Sequence, residues 1–208
     1  PQVKYKNSIL KCAELRKDFV KQLTSEKSLK AGIKISVSPL NKGKGLILDT
    51  EILQKELPES YCDAVKQAID EVVESGVPGG HPLTDIRILV QEVYFDADET
   101  SELAFLTVTK LAMEEILDLA VLVELEPVMR LEVSTPQDHV GNVIADLTAR
   151  QGRVIELDSL ALGESRIEAL VPLSEMFGYA NALRSLSSGR AEFTVEPSSY
   201  EVRHESAQ

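Results

Sequence analysis

Alternating and helical apolar patterns divide the first half of the chain into strands and helices. Over residues 33–37, isoleucine and valine alternate with lysine and serine, a period of two that predicts a half-buried strand. The apolar positions of residues 59–75 have helical spacing instead, with a proline before them and a glycine after them. A further apolar strand is predicted over residues 86–93. These patterns predict a sheet with a covering helix.

A second helix is predicted to begin near Ser101, because apolar residues occupy much of its circumference. We expect these residues to be largely buried: Ala104, Val108, Leu111, Ala112, Ile116 and Leu119. Two loops flank the strand over 86–93. One is VPGGHP, residues 77–82, whose glycines and prolines predict a turn, and the other is the acidic segment 94–100. We expect the two loops to lie near each other.

The second half of the chain has a different order of elements. Leu131 and Val133 belong to a predicted strand. Thr135 and Asp138 have the spacing of a capping box, which predicts a helix that starts at Pro136 and ends before Gly152. Two strands over 154–157 and 166–171 follow, then a helix over 174–187 and a last strand around 193–195.

This βαββαβ order is that of the ferredoxin-like fold. The last helix has five apolar residues at helical spacing, which predicts that most of them belong to the core: Leu173, Met176, Phe177, Ala180 and Leu183. The whole chain is therefore predicted to be an α+β protein of two modules. Its 208 residues suffice for two such cores, and 43% apolar with 27% charged residues is ordinary for a folded protein.

Charge is distributed unevenly along the sequence. The net charge is −12, yet residues 1–44 have eleven Lys and Arg against three acids, a surplus of eight positive charges. Residues 45–124 have four basic side chains against eighteen acids. The basic segment is typical of an RNA contact or, equally, of lysines that line the solvent face of edge strands.

The sequence has few features that would indicate a metal site, a disulfide framework or a membrane-spanning helix. Cys12 and Cys62 have no CxxC spacing, and His81, His139 and His204 are scattered, so we expect neither a metal site nor a disulfide framework. No apolar run approaches the roughly 20 residues of a membrane-spanning helix. We expect a cytoplasmic protein with no membrane partner.

One motif is far more specific than these patterns. The run VPLSEMFGYA, residues 171–180, with Arg184-Ser185-Leu186 and Gly189-Arg190-Ala191 after it, resembles the C-terminal signature of the elongation factor G family, the translocation GTPases of the ribosome. Three further segments resemble that family in the same order: Pro1-Gln2-Val3, SELAF at residues 101–105 and Leu125-Glu126-Pro127. The resemblance implies the family's fourth domain over residues 1–123, a ribosomal protein S5 domain 2-like module, and its ferredoxin-like fifth domain over 124–208.

The resemblance also implies partners and contact residues. The fourth domain's tip enters the A-site region beside transfer RNA and messenger RNA, and the fifth domain faces the stalk base and the sarcin-ricin loop of ribosomal RNA. The implied tip loops contain Gly79, Gly80, His81, Tyr94, Phe95, Asp96 and Asp98. The candidate ribosome contacts are Glu175, Tyr179, Arg184 and Arg190, since arginine grips phosphate with a planar fork. We expect a monomer.

Catalysis is not expected from this chain. Its one Gly-Lys pair, at residues 43–44, is followed by a glycine rather than by Ser or Thr, so it is not a phosphate loop. The chain opens on Pro1 rather than methionine, so we expect the C-terminal part of a longer protein, with GTP and Mg²⁺ in the preceding domains. No cofactor is expected in the chain itself.

Two departures from the family pattern keep other functions open. The family's tip loop reads close to YHDVDSSE, whereas residues 94–102 lack the histidine and contain Asp96, Asp98 and Glu99. Where the family has GGRGQYG, residues 23–32 read LTSEKSLKAG. These departures favour a divergent paralogue that acts in ribosome recycling, rescue or regulation. A regulatory module that binds a small ligand or a protein is the third alternative, since fold does not fix function.

Overall fold

The computed structural model describes residues 2–203 and divides the chain into two compact units. Pro1 and His204, both named above, lie outside the described residues. The first unit comprises residues 5–125, and the described part of the second comprises residues 2–4 and 126–203. The predicted boundary at residue 123 stays a prediction.

The first unit contains the following elements in chain order: β1 (Lys6–Ile9), β2 (Ala13–Gln22), β3 (Ser28–Pro39), β4 (Leu46–Asp49), α1 (Glu51–Glu56), α2 (Glu59–Ser75), β5 (Ile86–Tyr94) and α3 (Glu102–Leu119). A sheet of order β2-β3-β5-β4 forms its centre, with β3 antiparallel to both neighbours and β4 parallel to β5. Ile33, Ile35 and Val37 are buried, so the predicted alternation is confirmed. Strand β1 pairs antiparallel with residues 122–125.

Helices α2 and α3 begin where the sequence predicted, whereas the short helix α1 was not predicted. Helix α2 starts after Pro58 and ends before Gly76. Helix α3 is capped by the Ser101 hydroxyl, which accepts a hydrogen bond of 3.1 Å from the Ala104 amide. The prediction for two of its residues was wrong, since Leu111 is 40% and Leu119 48% exposed. Only one side of α3 is covered by the rest of the unit, so an apolar circumference does not imply a buried one.

The second unit has the predicted βαββαβ order: β6 (Leu122–Pro136, whose first four residues belong to the first unit), α4 (Val140–Ala149), β7 (Arg153–Ser159), β8 (Glu164–Pro172), α5 (Tyr179–Leu186) and β9 (Glu192–Val202). Strand β6 pairs with β8 and with β9, and β8 pairs with β7. The α+β prediction is thereby confirmed. The core lies between the sheet and the two helices, around Leu131, Val133, Ile167 and Leu183.

The predicted capping box at Thr135 was wrong. Strand β6 continues to Pro136, because Thr135 pairs with Ser165 of β8 and is fully buried. Residues 137–139 form a short 3-10 turn, and the helix begins only at Val140. Sheet pairing has outweighed the local preference for a helix start.

The predicted helix over 174–187 was too long. Residues 173–175 form a 3-10 turn, and helix α5 begins at Tyr179. Gly178 separates the two with φ of 75°, a left-handed conformation that glycine adopts readily. Among residues 2–203, none of the helices is long and apolar enough to cross a lipid bilayer.

Candidate functional site

The end of helix α5 presents two exposed arginines from one tight turn. Arg184 lies in the last turn of the helix, and its carbonyl accepts a hydrogen bond of 2.8 Å from the Gly189 amide. Ser188 and Gly189 have φ of 53° and 76°, so the chain reverses through two left-handed residues. The reversal brings Arg190 out directly after the helix.

A buried serine fixes this turn from within. The hydroxyl of Ser187 donates to the Leu183 carbonyl at 2.7 Å and accepts from the Ala191 amide at 3.1 Å. Ser187 itself is fully buried. One hydroxyl therefore ties the helix end to the segment that leads into β9, and the backbone position of Arg190 is well defined.

Arg184 and Arg190 differ in their electrostatic setting from three other arginines of the second unit. Three arginines form ion pairs with carboxylates: Arg130 with Glu168, Arg150 with Asp146 and Arg166 with Asp158. Among the described residues, neither Arg184 nor Arg190 has a carboxylate partner, and Arg190 contacts only the Nε2 atom of His139, at 2.9 Å. We call Arg184, Arg190 and His139 the arginine corner. Its positive charge is not neutralised within the described chain.

Another arginine organises the signature loop over residues 173–178. The Nη1 atom of Arg150 donates to the carbonyl oxygens of Glu175 at 2.6 Å and Phe177 at 3.2 Å. Its Nε atom donates to Asp146 at 3.0 Å. Arg150 was not singled out as a site residue by the sequence, because its two carbonyl partners lie 25 and 27 positions later in the chain.

Tyr179 is not available as a surface contact, so this part of the prediction was wrong. The side chain is 2% exposed and packs edge-to-face against Phe193, with ring centroids 5.1 Å apart. Its hydroxyl is buried without a hydrogen-bond partner in the described structure, and burial raises the pKa of Tyr179 far above its usual range. Phe177, predicted to be core, is 50% exposed instead, since it belongs to the loop and not to α5. Glu175 is half-buried in the same loop.

The first unit has one end at which two loops are joined, which we call the distal end. It consists of the β2–β3 hairpin, residues 23–27, and the β5–α3 loop, residues 95–101. The Lys30 amide donates to the Glu99 carbonyl at 2.7 Å, and the two side chains form an ion pair. This pair raises the pKa of Lys30. The hairpin and the loop are therefore held together at backbone and side-chain level.

The β5–α3 loop combines an aromatic anchor with exposed acids. Phe95 lies at a centroid distance of 6.5 Å from Tyr61 and 6.2 Å from Phe105, both edge-to-face, so the ring folds back toward the core. Asp96 accepts a hydrogen bond of 3.0 Å from the Asp98 amide, and both carboxylates are exposed. The loop thus presents negative charge at the distal end.

The VPGGHP loop does not lie near the β5–α3 loop, so that prediction was wrong. The His81 amide donates to the Asn7 side chain at 2.7 Å, and its ring lies 3.3 Å from a Glu124 oxygen. Gly79 and Gly80 belong to the same turn. The loop precedes β5 whereas the acidic loop follows it, and nine strand residues separate them by about 30 Å. The order of the elements was enough to predict this separation, because the two loops that flank a strand lie at its opposite ends.

The basic segment of the sequence is partly neutralised in the folded chain. Lys17 pairs with Glu115 at 2.7 Å, Lys34 pairs with Glu14 at 2.9 Å, and Lys30 pairs with Glu99. The bond to Glu14 raises the pKa of Lys34. Two of these three carboxylates come from the acidic part of the sequence. Three lysines of the basic segment, residues 1–44, are therefore neutralised by ion pairs in the folded chain.

The cysteines differ in accessibility. Cys12 is exposed, whereas Cys62 is buried and its thiol donates to the Leu53 carbonyl at 3.1 Å. Burial raises the pKa of Cys62. Within the described residues, no group of three or more His, Cys, Asp or Glu side chains is arranged to hold a metal ion.

Comparisons with known proteins agree over nearly the whole chain. The family model described as elongation factor G, domain IV, matches residues 1–121, and the model described as elongation factor G C-terminus matches residues 123–208. Elongation factor G of Chlamydia trachomatis serovar D is 37% identical over 197 residues, and that of Chlamydia caviae is 36% identical over the same length. Each alignment covers 95% of this chain and 28% of the relative. A crystal structure from Thermus thermophilus superposes with a TM-score of 0.78 at 30% identity, over 98% of this chain and 30% of that one.

Proposed function

Because the chain belongs to the elongation factor G family, we propose that it is the ribosome-binding region of a translational GTPase that promotes movement of transfer RNA and messenger RNA. The chain spans 28% of the length of the curated relatives that it matches. GTP and Mg²⁺ belong, in this proposal, to parts of the protein outside this chain, and the chain itself performs no catalysis. The proposal places the protein in the cytoplasm, as a monomer.

The arginine corner is the observation that best supports ribosome binding. A guanidinium group offers a planar set of donors that matches phosphate oxygens, and a carboxylate nearby would compete for them. Arg184 and Arg190 have no such competitor among the described residues. We assign them to phosphates of the stalk base and the sarcin-ricin loop. Glu175 lies at the other end of α4, where its carbonyl accepts a hydrogen bond from Arg150, so we propose it as a separate contact.

The structure of the distal end supports the proposal that this end of the first unit lies near the A site. Its two loops are tied by the Lys30–Glu99 pair and by the register of Gly32 with Tyr94. A rigid end of this kind acts as a wedge that keeps its shape when the factor moves. Phe95, Asp96 and Asp98 belong to this end, and Tyr94 is the last residue of the strand that leads into it. Gly79, Gly80 and His81 belong to the opposite end of β5 and are left out of the proposed contact.

The exposed acids favour a second candidate function. Asp96 and Asp98 lie in the loop that would approach transfer RNA and messenger RNA, and their charge is repelled by the phosphate backbone. A paralogue that binds the ribosome without efficient translocation, and acts in recycling, rescue or regulation, fits this charge. In that case the acids avoid RNA or meet a basic ribosomal protein.

Co-sedimentation with purified ribosomes tests the proposal. The 208-residue chain is centrifuged with ribosomes at several salt concentrations, and the full-length protein is centrifuged with a GTP analogue or GDP. We expect salt-sensitive binding, because phosphate contacts release counterions, and tighter binding of the full-length protein with the GTP analogue. Absence of binding in every condition contradicts the proposal.

A translocation assay separates the two candidates. The full-length protein is added to ribosomes that hold transfer RNA in the A site, and movement of the messenger RNA is followed with time. Translocation at the rate of a housekeeping factor supports the first candidate. GTP hydrolysis without translocation supports the second.

A further inference from the structure

The contact between His139 and Arg190 defines the protonation of the histidine ring. Arginine has only N–H donors, so at 2.9 Å the Nε2 atom of His139 accepts the hydrogen bond from Arg190 Nη2. A neutral imidazole that accepts at Nε2 has its proton on Nδ1. The ring therefore has one donor left, and its only acceptor is already used.

The two side chains together present donors and no free acceptor. The guanidinium retains several N–H groups beyond the one given to His139, and the imidazole adds its Nδ1–H. Asp138 is the neighbouring acid in sequence, yet within the described chain it forms no ion pair with either side chain. A surface of this composition suits a ligand whose exposed atoms are acceptors only, as in a phosphodiester.

The two residues reach this position from separate elements. His139 immediately precedes α4, a helix of ten residues, so the positive end of the helix dipole lies beside the imidazole. Arg190 follows the turn that the Ser187 hydroxyl closes. The histidine also holds the guanidinium, which lowers the entropy cost of placing a long exposed side chain on a ligand.

We propose that His139 and Arg190 form a clasp for one backbone phosphate of ribosomal RNA. This proposal rests on the proposed ribosome binding and adds a residue, His139, that neither the signature motif nor the family resemblance pointed to. Arg190 contacts the phosphate, and His139 both orients the guanidinium and donates its Nδ1–H. Arg184, on the same turn, contacts a neighbouring phosphate.

Ribosome binding by the 208-residue chain, measured across a salt series, tests the clasp. Arg190→Ala is expected to weaken binding about tenfold and to reduce the slope of log affinity against log salt by roughly one, as loss of one phosphate contact requires. His139→Ala is expected to weaken binding by roughly three- to tenfold, while His139→Gln, whose amide can accept from Arg190 and donate to the phosphate, retains most of the affinity. The double variant is expected to lose little more than Arg190→Ala alone, because both residues serve one ligand.

Arg153→Ala is the matched control, since it removes an exposed arginine of the same unit outside the clasp. We expect it to bind as the parent chain does. Urea unfolding of each variant checks that the fold is intact. If an alanine variant does not fold, Arg190→Lys and His139→Gln take its place. Arg190→Lys is then expected to weaken binding, because it removes the planar guanidinium, whereas His139→Gln is expected to preserve binding.

The two proposals fail in different ways. If the parent chain itself does not bind ribosomes, the proposed function and the clasp are both overturned. If the parent chain binds, and Arg190→Ala and His139→Ala bind with the same affinity and salt slope, the clasp alone is overturned.

Discussion

The guanidinium carbon of Arg16 lies 3.7 Å from the centroid of the Tyr94 ring. The two residues belong to β2 and β5, which are not neighbours, since β3 lies between them. The ring crosses this gap over Gly32, which pairs with Tyr94 in β5 and with Asp18 in β2. A cation–π contact across three strands thus depends on a residue without a side chain.

Replacing Gly32 with alanine should disturb this contact. A Cβ atom at this position would lie 2.5 Å from Asp18 Oδ1 and 3.2 Å from Tyr94 Cβ. The exposed Asp18 carboxylate can move aside, so the limiting contact is the one with Tyr94. We expect Gly32→Ala to destabilise the chain by about 1 kcal/mol, the low end of what overpacking costs. Urea unfolding followed by circular dichroism measures the change in free energy of unfolding.

Gly141→Ala provides the opposite control. This glycine lies within α4, and a Cβ atom there meets nothing within 4 Å. Alanine is the better helix former, so we expect a gain of about 0.5–1 kcal/mol. Equal effects at the two glycines would show that space around Gly32 is not limiting.

The buried hydroxyl of Tyr179 should be dispensable for stability. It is buried without a hydrogen-bond partner in the described structure, so its desolvation is uncompensated. We expect Tyr179→Phe to leave the free energy of unfolding unchanged or to raise it by about 1 kcal/mol. A loss of more than that would reveal a partner for the hydroxyl. Ribosome binding should be unaffected.

Tyr179 should also affect how the free energy of unfolding changes at alkaline pH. Burial raises the pKa of Tyr179 on folding, so above the unfolded value of about 10 the unfolded chain releases a proton that the folded chain keeps. The contribution of neutral Tyr179 to the free energy of unfolding is therefore complete below about pH 10. It is lost as pH rises further, at up to about 1.4 kcal/mol per pH unit. Unfolding of the parent and Tyr179→Phe chains between about pH 8 and pH 11 should show a shallower decline for the variant.

Arg150 should be sensitive even to a conservative change. Lysine keeps the charge beside Asp146 but cannot reach both the Glu175 and Phe177 carbonyls with a planar fork. We expect Arg150→Lys to cost about 1–3 kcal/mol and to speed amide hydrogen exchange in residues 173–178. Arg153→Lys, on the exposed side of β7, should change neither quantity.

Charge reversal at Arg184 should weaken ribosome binding by roughly tenfold or more, because a phosphate contact becomes a repulsion. The arginine is exposed and has no carboxylate partner among the described residues, so the fold should not suffer. Sedimentation at low salt measures the effect. Arg153→Glu makes the same change of charge on the same unit, and binding that falls equally in both variants would point to net charge rather than to this residue.

Sequence patterns predicted elements better than the ends of elements. The strand at Ile33 and the helix of residues 59–75 follow from periodicity, because each buries one face. The helix starts at residues 136 and 174 were wrong, since cross-strand pairing of Thr135 and the left-handed Gly178 are properties of the folded chain. The helix preferences of neighbouring residues in the sequence could not predict either of these features.

The site was predicted in part for a similar reason. The signature motif led to Arg184 and Arg190, which are exposed, and also to Tyr179, which is core. Helical spacing could not separate these residues while the start of α5 was misplaced by five residues. His139 and Arg150 contribute through contacts with residues 51 and 25 positions away, which no local pattern records.

Two ion pairs of the first unit can form only late in its synthesis. Lys17 meets Glu115, 98 residues later in the chain, and Lys30 can pair only after Glu99 has been made. In a nascent chain, Lys17 and Lys30 therefore lack these carboxylate partners until the chain has been made as far as α3. The core of the unit also needs this late helix, because Phe105 and Ile116 of α3 are buried in it. The unit can therefore complete its folding only after almost all of it has been translated.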